Sequence, residues 1–258
     1  SRSPMRGRAF TLGLEDEPKF SLRVGHLRVQ LDEIMAALDW FKPEVIVNFA
    51  ALCELNHSWI NPEHYFDTNV IALVNLVKEL QTRKWLRQFI QVGSSEVYGS
   101  VVEPACETSP LVCSSPYAAS KAAFDLHLIA VAKHQGFPGL VIRPSNGYCP
   151  GQPLNRIIPK TLLCALANTK LQLQGGGAAR KSYLHADDIS SAIMLLMAQG
   201  KTGEIYNVGP FHSTSIRELV TMLAGMCGKT LEEVADVAPE RVGQDSQYLL
   251  NSDKIRYI

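Results

Sequence analysis

Apolar residues recur along this chain in two alternating rhythms. Val45–Ala51, Phe89–Val92 and Gly139–Arg143 are short, nearly continuous apolar runs, the pattern of strands buried on both faces. Before the first run, Ile34, Met35, Leu38 and Phe41 fall at helical spacing and predict an amphipathic helix over 31–40 that Pro43 ends. Asn61-Pro62 opens a second helix over about 62–83, carrying Tyr65, Asn69, Ala72 and Leu76. Ser115-Pro116 opens a third, which runs to about His134 through Ala118, Ala119 and Ala122. Strand and helix alternating in this way predict an α/β fold, a doubly wound parallel sheet with ligands outside the carboxyl ends of its strands. Ala50-Ala51, Ser94–Glu96 and Pro144–Asn146 fall at those ends.

The pattern changes after Pro150. Helices are predicted over 157–167, 187–199 and 215–227, with a short strand over 171–174, a turn at Gly175-Gly176-Gly177 and a polar, irregular tail. The expected organisation is a main-sheet domain over 1–150 and a smaller, mainly substrate-binding lobe over 151–258, some of whose segments return to the sheet. Residues 1–25 read as loop leading into a short strand.

Composition narrows the classes. The chain has 258 residues, 46% apolar and 19% charged, enough for one large or two small domains. Its 25 basic residues balance 25 acidic ones, so charge makes no case for a nucleic-acid or membrane partner. No apolar run approaches the roughly 18 residues of a spanning helix, and the first residues hold no signal-peptide core. Six cysteines show neither C-x-x-C pairing nor histidines at ligand spacing, which predicts reduced thiols, no metal and a cytoplasmic location.

The chemistry concentrates between Val92 and Lys121. Ser94, Ser95 and Glu96 follow a strand, and Tyr117 and Lys121, four residues apart, share a helical face. An ammonium beside a phenol favours phenolate, so the Tyr117 pKa is expected to fall. A Ser94 hydroxyl at the strand end would bond the same substrate oxygen. The group is suited to moving a proton on a carbinol or carbonyl. The plainer reading is a surface lysine and a half-buried tyrosine; the upstream Ser-Ser-Glu and flanking strands favour the chemical one.

With those strands, the constellation resembles the extended short-chain dehydrogenase/reductase family, and within it the nucleotide-sugar epimerases and dehydratases, over about Val45 to Ile255. The resemblance implies a Rossmann-like sheet, NAD with NADP not told apart, a nucleotide-diphosphate sugar as substrate, and a homodimer through the helices near 62–83 and 116–134. It implies that Tyr117, Lys121 and Ser94 act on a sugar hydroxyl while a nicotinamide takes hydride. The Gly-rich phosphate loop that opens such sheets has no counterpart here, so the first βαβ unit is expected to be lacking from this chain. A fragment of a longer protein, a unit supplied by other residues, and a truncated form are the three explanations.

Further motifs carry the resemblance. On the cofactor side, Ala50 and Ala51 match a small strand-end pair, and Val92 ends the next strand. His26 and Leu27 lie in a turn, Gly25–Arg28, that resembles G-D-x-R with His26 in place of the Asp, and Asn69 resembles a helix Asn inside the site. On the substrate side, Arg143–Gln152 resembles R-x-x-N-x-Y-G-P-G-Q, which implies Asn146 near the substrate and makes Cys149 a packing replacement for Gly. Arg156 and Ile157 match a segment that packs on the nucleotide. Lys181–Asp188 resembles R-D-x-x-Y-V-x-D, with Lys181 for the Arg, Arg180 as an alternative grip and Asp188 expected to cap the next helix. Asn207 matches the Asn of a strand-end Y-N-x-G near the nucleotide, and Arg241 the Arg of a D-R-P-G-H-D turn that meets the diphosphate.

Glu96 is then a candidate base at sugar C5. Ser95 stands where the nucleotide-glucose enzymes carry an acidic Asp, and water or another group would have to protonate the leaving hydroxyl. The whole leans towards nucleotide-glucose 4,6-dehydratases of the dTDP-glucose type: oxidation at C4, loss of water across C5/C6, hydride return to C6. A 4-epimerase or decarboxylase on the same scaffold, and a non-catalytic nucleotide-sugar-binding subunit, stay open.

Overall fold

The computed structural model describes residues 17–258. Four strands, β1 (Val45–Asn48), β2 (Gln88–Val92), β3 (Gly139–Pro144) and β4 (Ile205–Val208), lie in that order in one parallel sheet. Phe89 and Ile90 on β2 and Leu140, Val141 and Ile142 on β3 are almost wholly buried, as two covered faces require. One face packs on helices α1 (Leu31–Phe41), α4 (Ala72–Leu80) and α5 (Pro116–Gln135), where Met35, Leu73, Leu76, Val77, Phe124 and Leu128 meet Phe89 and Val141. The other packs on α7 (Ala186–Gln199), whose Ile193 and Leu196 meet Ile90, Leu140 and Ile142. The sheet is doubly wound, as the alternation predicted.

Between β1 and α4 lie the short helices α2 (Leu55–Ile60) and α3 (Pro62–Phe66), and α3 runs into α4 through a π turn, Asp67–Ile71. The single helix expected over 62–83 is therefore interrupted and ends at Leu80. A period-based reading cannot see one extra residue per turn. Asn69 sits in this π turn, 1% exposed, and its side chain accepts from the Leu52 N–H (2.8 Å) and donates to the Leu52 carbonyl (3.0 Å) and Ser120 Oγ (3.0 Å). It ties the loop after β1 to α5.

β1 stops at Asn48 rather than Ala51, because the Asn48 side chain accepts the Ala50 N–H and turns the chain out of the sheet. Residues 17–30 form turns and no strand; the rest of the expected leading segment lies outside the described residues. The tail is more ordered than its polarity suggested. Leu231–Val234 is a short helix, and Ala235–Ala238 pairs in parallel with Leu171–Gln174. Leu171, Leu173 and Val234 form a second core with Ala165 of α6 (Ile157–Ala167) and Val220 and Ala224 of α8 (Ile216–Met226). Asp188 does not cap α7. The cap is His185, whose Nδ1 accepts the Asp187 N–H (3.3 Å), and both aspartates lie in the first turn, at the positive end of the helix.

Candidate functional site

The site forms where β2 and β3 end. After Val92 the chain passes Gly93, and Ser94 caps a 3₁₀ turn, Ser95–Tyr98, by accepting the Glu96 N–H (3.2 Å). Gly99 closes this turn at φ 68°, and a Cβ there would stand 2.1 Å from the Val112 carbonyl oxygen, so the position requires glycine. Ser115 caps α5 by accepting the Ala118 N–H (3.1 Å), with Pro116 in its first turn. From there Tyr117, Lys121 and Asp125 follow at helical spacing along one buried face.

The Ser94 hydroxyl neighbours the Tyr117 phenol and favours its ionised form, and the Tyr65 ring stands edge-on to Tyr117 at 6.3 Å. Lys121 is 4% exposed and donates to the Val92 carbonyl at 2.6 Å. The expected fall in the Tyr117 pKa is not found. Burial and then the neighbouring Glu96 carboxylate push the phenol up, and Ser94 and Arg156 work against them. The Lys121 ammonium is committed to a backbone oxygen, and burial pushes its own pKa down.

Behind Lys121, Asp125 and Arg143 form a fully buried ion pair at 2.9 Å. Arg143 also donates to the Tyr98 hydroxyl (2.9 Å), which donates to Asn207 Oδ1 (2.9 Å). Removing one partner of such a pair typically costs about 3–5 kcal/mol, because the other charge is left uncompensated.

Glu96 is partly buried, and one of its carboxylate oxygens is closed off from solvent with no hydrogen-bond partner among the described residues. Burial raises its pKa, Asp245 adds to this, and Lys181, Arg241 and Tyr248 oppose it. Lys181 is 5% exposed, with its Nζ 3.4 Å from the centre of the Tyr248 ring. The Tyr248 hydroxyl donates to Asp245 (2.7 Å), which also accepts from Ser100 (2.9 Å) and Ser114.

Glu96 and Lys181 face a cavity of about 570 Å³. Of the residues singled out from sequence, Ser94, Ser95, Glu96 and Tyr117 line it at one end, and Asn146, Arg156, Ile157, Lys181 and Arg241 line the rest. The Asn146 side-chain oxygen is buried there without a partner. Two expected substrate contacts are not in it. The Arg180 guanidinium donates to the Ser213 carbonyl (2.6 Å) and Ser213 Oγ, and pairs with Glu218. Asn207, wholly buried, spends its side chain on Tyr98 and the Ala105 carbonyl. Both are held by their own surroundings, which a motif match does not reveal.

His26, Leu27, Ala50, Ala51, Asn69, Val92 and Lys121 lie outside this cavity. His26 Nδ1 accepts the Arg28 N–H (3.3 Å), while Arg28 pairs with Asp67 at 2.7 Å and anchors the turn to the π segment. Cys149 is exposed rather than packed, and all six cysteines are free. Tyr248 and Asp245 were missed as parts of the site because the tail carries no periodicity. Asp125 was legible: it extends the Tyr117-Lys121 spacing by one more step of four. Among the described residues no cluster of three His, Cys, Asp or Glu could hold a metal ion, and no helix is long and apolar enough to cross a membrane.

A model of the family described as NAD dependent epimerase/dehydratase matches residues 16–209. The chain is similar to a dTDP-glucose 4,6-dehydratase of Streptomyces niveus, 32% identical over 227 residues, which are 88% of this chain and 66% of that protein. It is also similar to a trifunctional UDP-glucose 4,6-dehydratase/epimerase/reductase of Arabidopsis thaliana, 28% identical over 217 residues, 83% of this chain and 32% of that one. The chain thus spans between a third and two thirds of the length of these relatives. A crystal structure of a dTDP-glucose 4,6-dehydratase from Streptomyces venezuelae with NAD bound superposes with a TM-score of 0.90 and 30% identity, over 97% of this chain and 76% of that one.

Proposed function

The chain belongs to the NAD dependent epimerase/dehydratase family, and from that premise we propose that it acts as a nucleotide-sugar 4,6-dehydratase. The observation that carries this reading is Glu96, which lines the cavity with Ser94 and Tyr117 and has one buried carboxylate oxygen without a partner among the described residues. A 4-epimerase needs only the two hydroxyls of Ser94 and Tyr117 to exchange alcohol and carbonyl at C4. A dehydratase needs in addition a base for the C5 proton, and Glu96 is in reach of the same ring. The dehydratase names of the relatives lean the same way.

In this reading Tyr117 takes the proton of the C4 hydroxyl while Ser94 holds its oxygen, and Glu96 takes the proton from C5. Asn146, Arg156, Ile157 and Arg241 hold the nucleotide diphosphate, with arginine forks suited to phosphate oxygens. A nicotinamide dinucleotide fits the carboxyl ends of β1 and β2. Ala50 and Ala51 present little side chain, and the Lys121 ammonium donates one of its three N–H bonds to the Val92 carbonyl, leaving two to donate. The turn at His26 and Leu27 and the loop tied by Asn69 would flank it. When bound, NAD supplies the hydride acceptor for C4 and the donor for C6.

The test is conversion of dTDP- or UDP-glucose by the full-length protein with NAD. A 4-keto-6-deoxy product, lighter by one water, is expected; a product isomeric with substrate would replace the reading by an epimerase. The reading includes a cytoplasmic homodimer paired through α3–α4 and α5, where Phe66, Ile71 and Leu126 stand exposed. Sedimentation at monomer mass would count against that pairing, and recovery in the membrane fraction against the location.

A further inference from the structure

A sugar hydroxyl departs readily only when its oxygen is protonated, and Ser95, beside Glu96, has no acidic proton to give. Lys160, Tyr183 and Glu240 also line the cavity, but Lys181 is the one of these four that is buried. Lys181 lines it, 5% exposed, and its ammonium rests on the face of the Tyr248 ring, 3.4 Å from the centre. Among the described residues it makes neither a hydrogen bond nor an ion pair, so its N–H bonds are uncommitted. Glu96 is its strongest charged neighbour.

We propose that Lys181 is the general acid that protonates the C6 oxygen as it leaves. The inference rests on the dehydratase reading. Glu96 takes the C5 proton and the C5–H electron pair becomes the C5=C6 bond. The C6–O bond breaks with its electrons on oxygen, and a Lys181 N–H proton makes that oxygen water. Glu96 ends protonated and Lys181 neutral. Glu96 later returns its proton to C5, and the proton that Tyr117 drew from the C4 hydroxyl equals the one Lys181 gave up, so the cycle closes.

The surroundings suit an acid that works near neutrality. Burial first, and Arg241 with it, lower the Lys181 ammonium while Glu96, Asp245 and Glu240 hold it up, and together they bring it to about 8. The Tyr248 phenol, bonded to Asp245, sets the ring on which the ammonium sits. An arginine here would clamp phosphate equally well but could not release a proton at these pH values.

That difference supplies the test. Lys181→Arg and Lys181→Met are made in the full-length NAD-loaded enzyme and assayed on the nucleotide-glucose and on its 6-deoxy-6-fluoro analogue, since fluoride leaves without a proton. Both variants are expected to lose about 10²–10⁴-fold in kcat for water elimination and to release fluoride near the wild-type rate. Equal losses on both substrates would make Lys181 a binding or structural residue, and a wild-type rate for Lys181→Arg would make it a phosphate clamp; either overturns the inference. A wild-type enzyme that isomerises the sugar, releasing neither water nor fluoride, fails the dehydratase reading itself. Independently of turnover, competitive acetylation of the unliganded protein across pH should show Lys181 titrating near 8, and lower still in Glu96→Gln; an ordinary lysine value would also overturn it.

Discussion

Tyr117→Phe is expected to lower kcat by about 10²–10⁴-fold, the range for loss of a positioned acid–base group, with KM little changed. The phenyl ring keeps the edge contact with Tyr65 and the packing of a residue 8% exposed, so the fold should survive. What is lost is the phenol oxygen beside Ser94, and with it the route for the C4 hydroxyl proton. The first half-reaction should fail, so that neither reduced nicotinamide nor ketosugar forms in a single turnover watched by near-ultraviolet absorbance and mass spectrometry. Unimpaired turnover would remove Tyr117 from the chemistry. Burial and the Glu96 charge raise the phenol above its ordinary value. The wild-type oxidation rate should therefore climb with pH through and beyond neutrality, because the base form is the scarce one.

The placing of this tyrosine was legible, and its ionisation was not. Spacing put Tyr117 and Lys121 on one helical face, and the strand before Ser94 delivered the hydroxyl to it. Which carbonyl the lysine would bond depends on the path of the turn after β2, and no local pattern encodes that path. The pKa of Tyr117 is set by Glu96, twenty-one positions earlier, and by burial that only the assembled fold provides. The same holds on the substrate side. Lys181 and Arg241 match phosphate-binding motifs and do line the cavity, whereas Arg180, adjacent in sequence, points to Ser213. A strand alternates its faces, so one step along it moves a side chain from cavity to outside. Tyr248 and Asp245 belong to a tail whose order comes from pairing with distant segments, as the bond from Tyr248 N–H to the Arg180 carbonyl shows.

Glu96→Gln separates the two halves of the proposed reaction. Glutamine keeps the size of the side chain, but it cannot take a proton from carbon. Elimination is expected to fall by about 10²–10⁴-fold, while oxidation at C4 persists, so reduced nicotinamide and the 4-ketosugar should accumulate together in the active site. The substitution also removes the negative charge that helps to hold the Tyr117 phenol up. The phenol pKa should then fall, and the pH at which oxidation becomes half-maximal should move down relative to wild type. A shift of one unit corresponds to about 1.4 kcal/mol. In the wild type, the elimination step should lose rate as pH falls through the Glu96 value, which burial places above the ordinary carboxylate range, because the base becomes protonated. That limb should vanish in Glu96→Gln while the oxidation limb remains. If product still forms at the wild-type rate, the C5 base lies elsewhere. If oxidation and elimination are lost together, Glu96 serves to shape the cavity rather than to move a proton, and the distinction from an epimerase would have to rest on another residue.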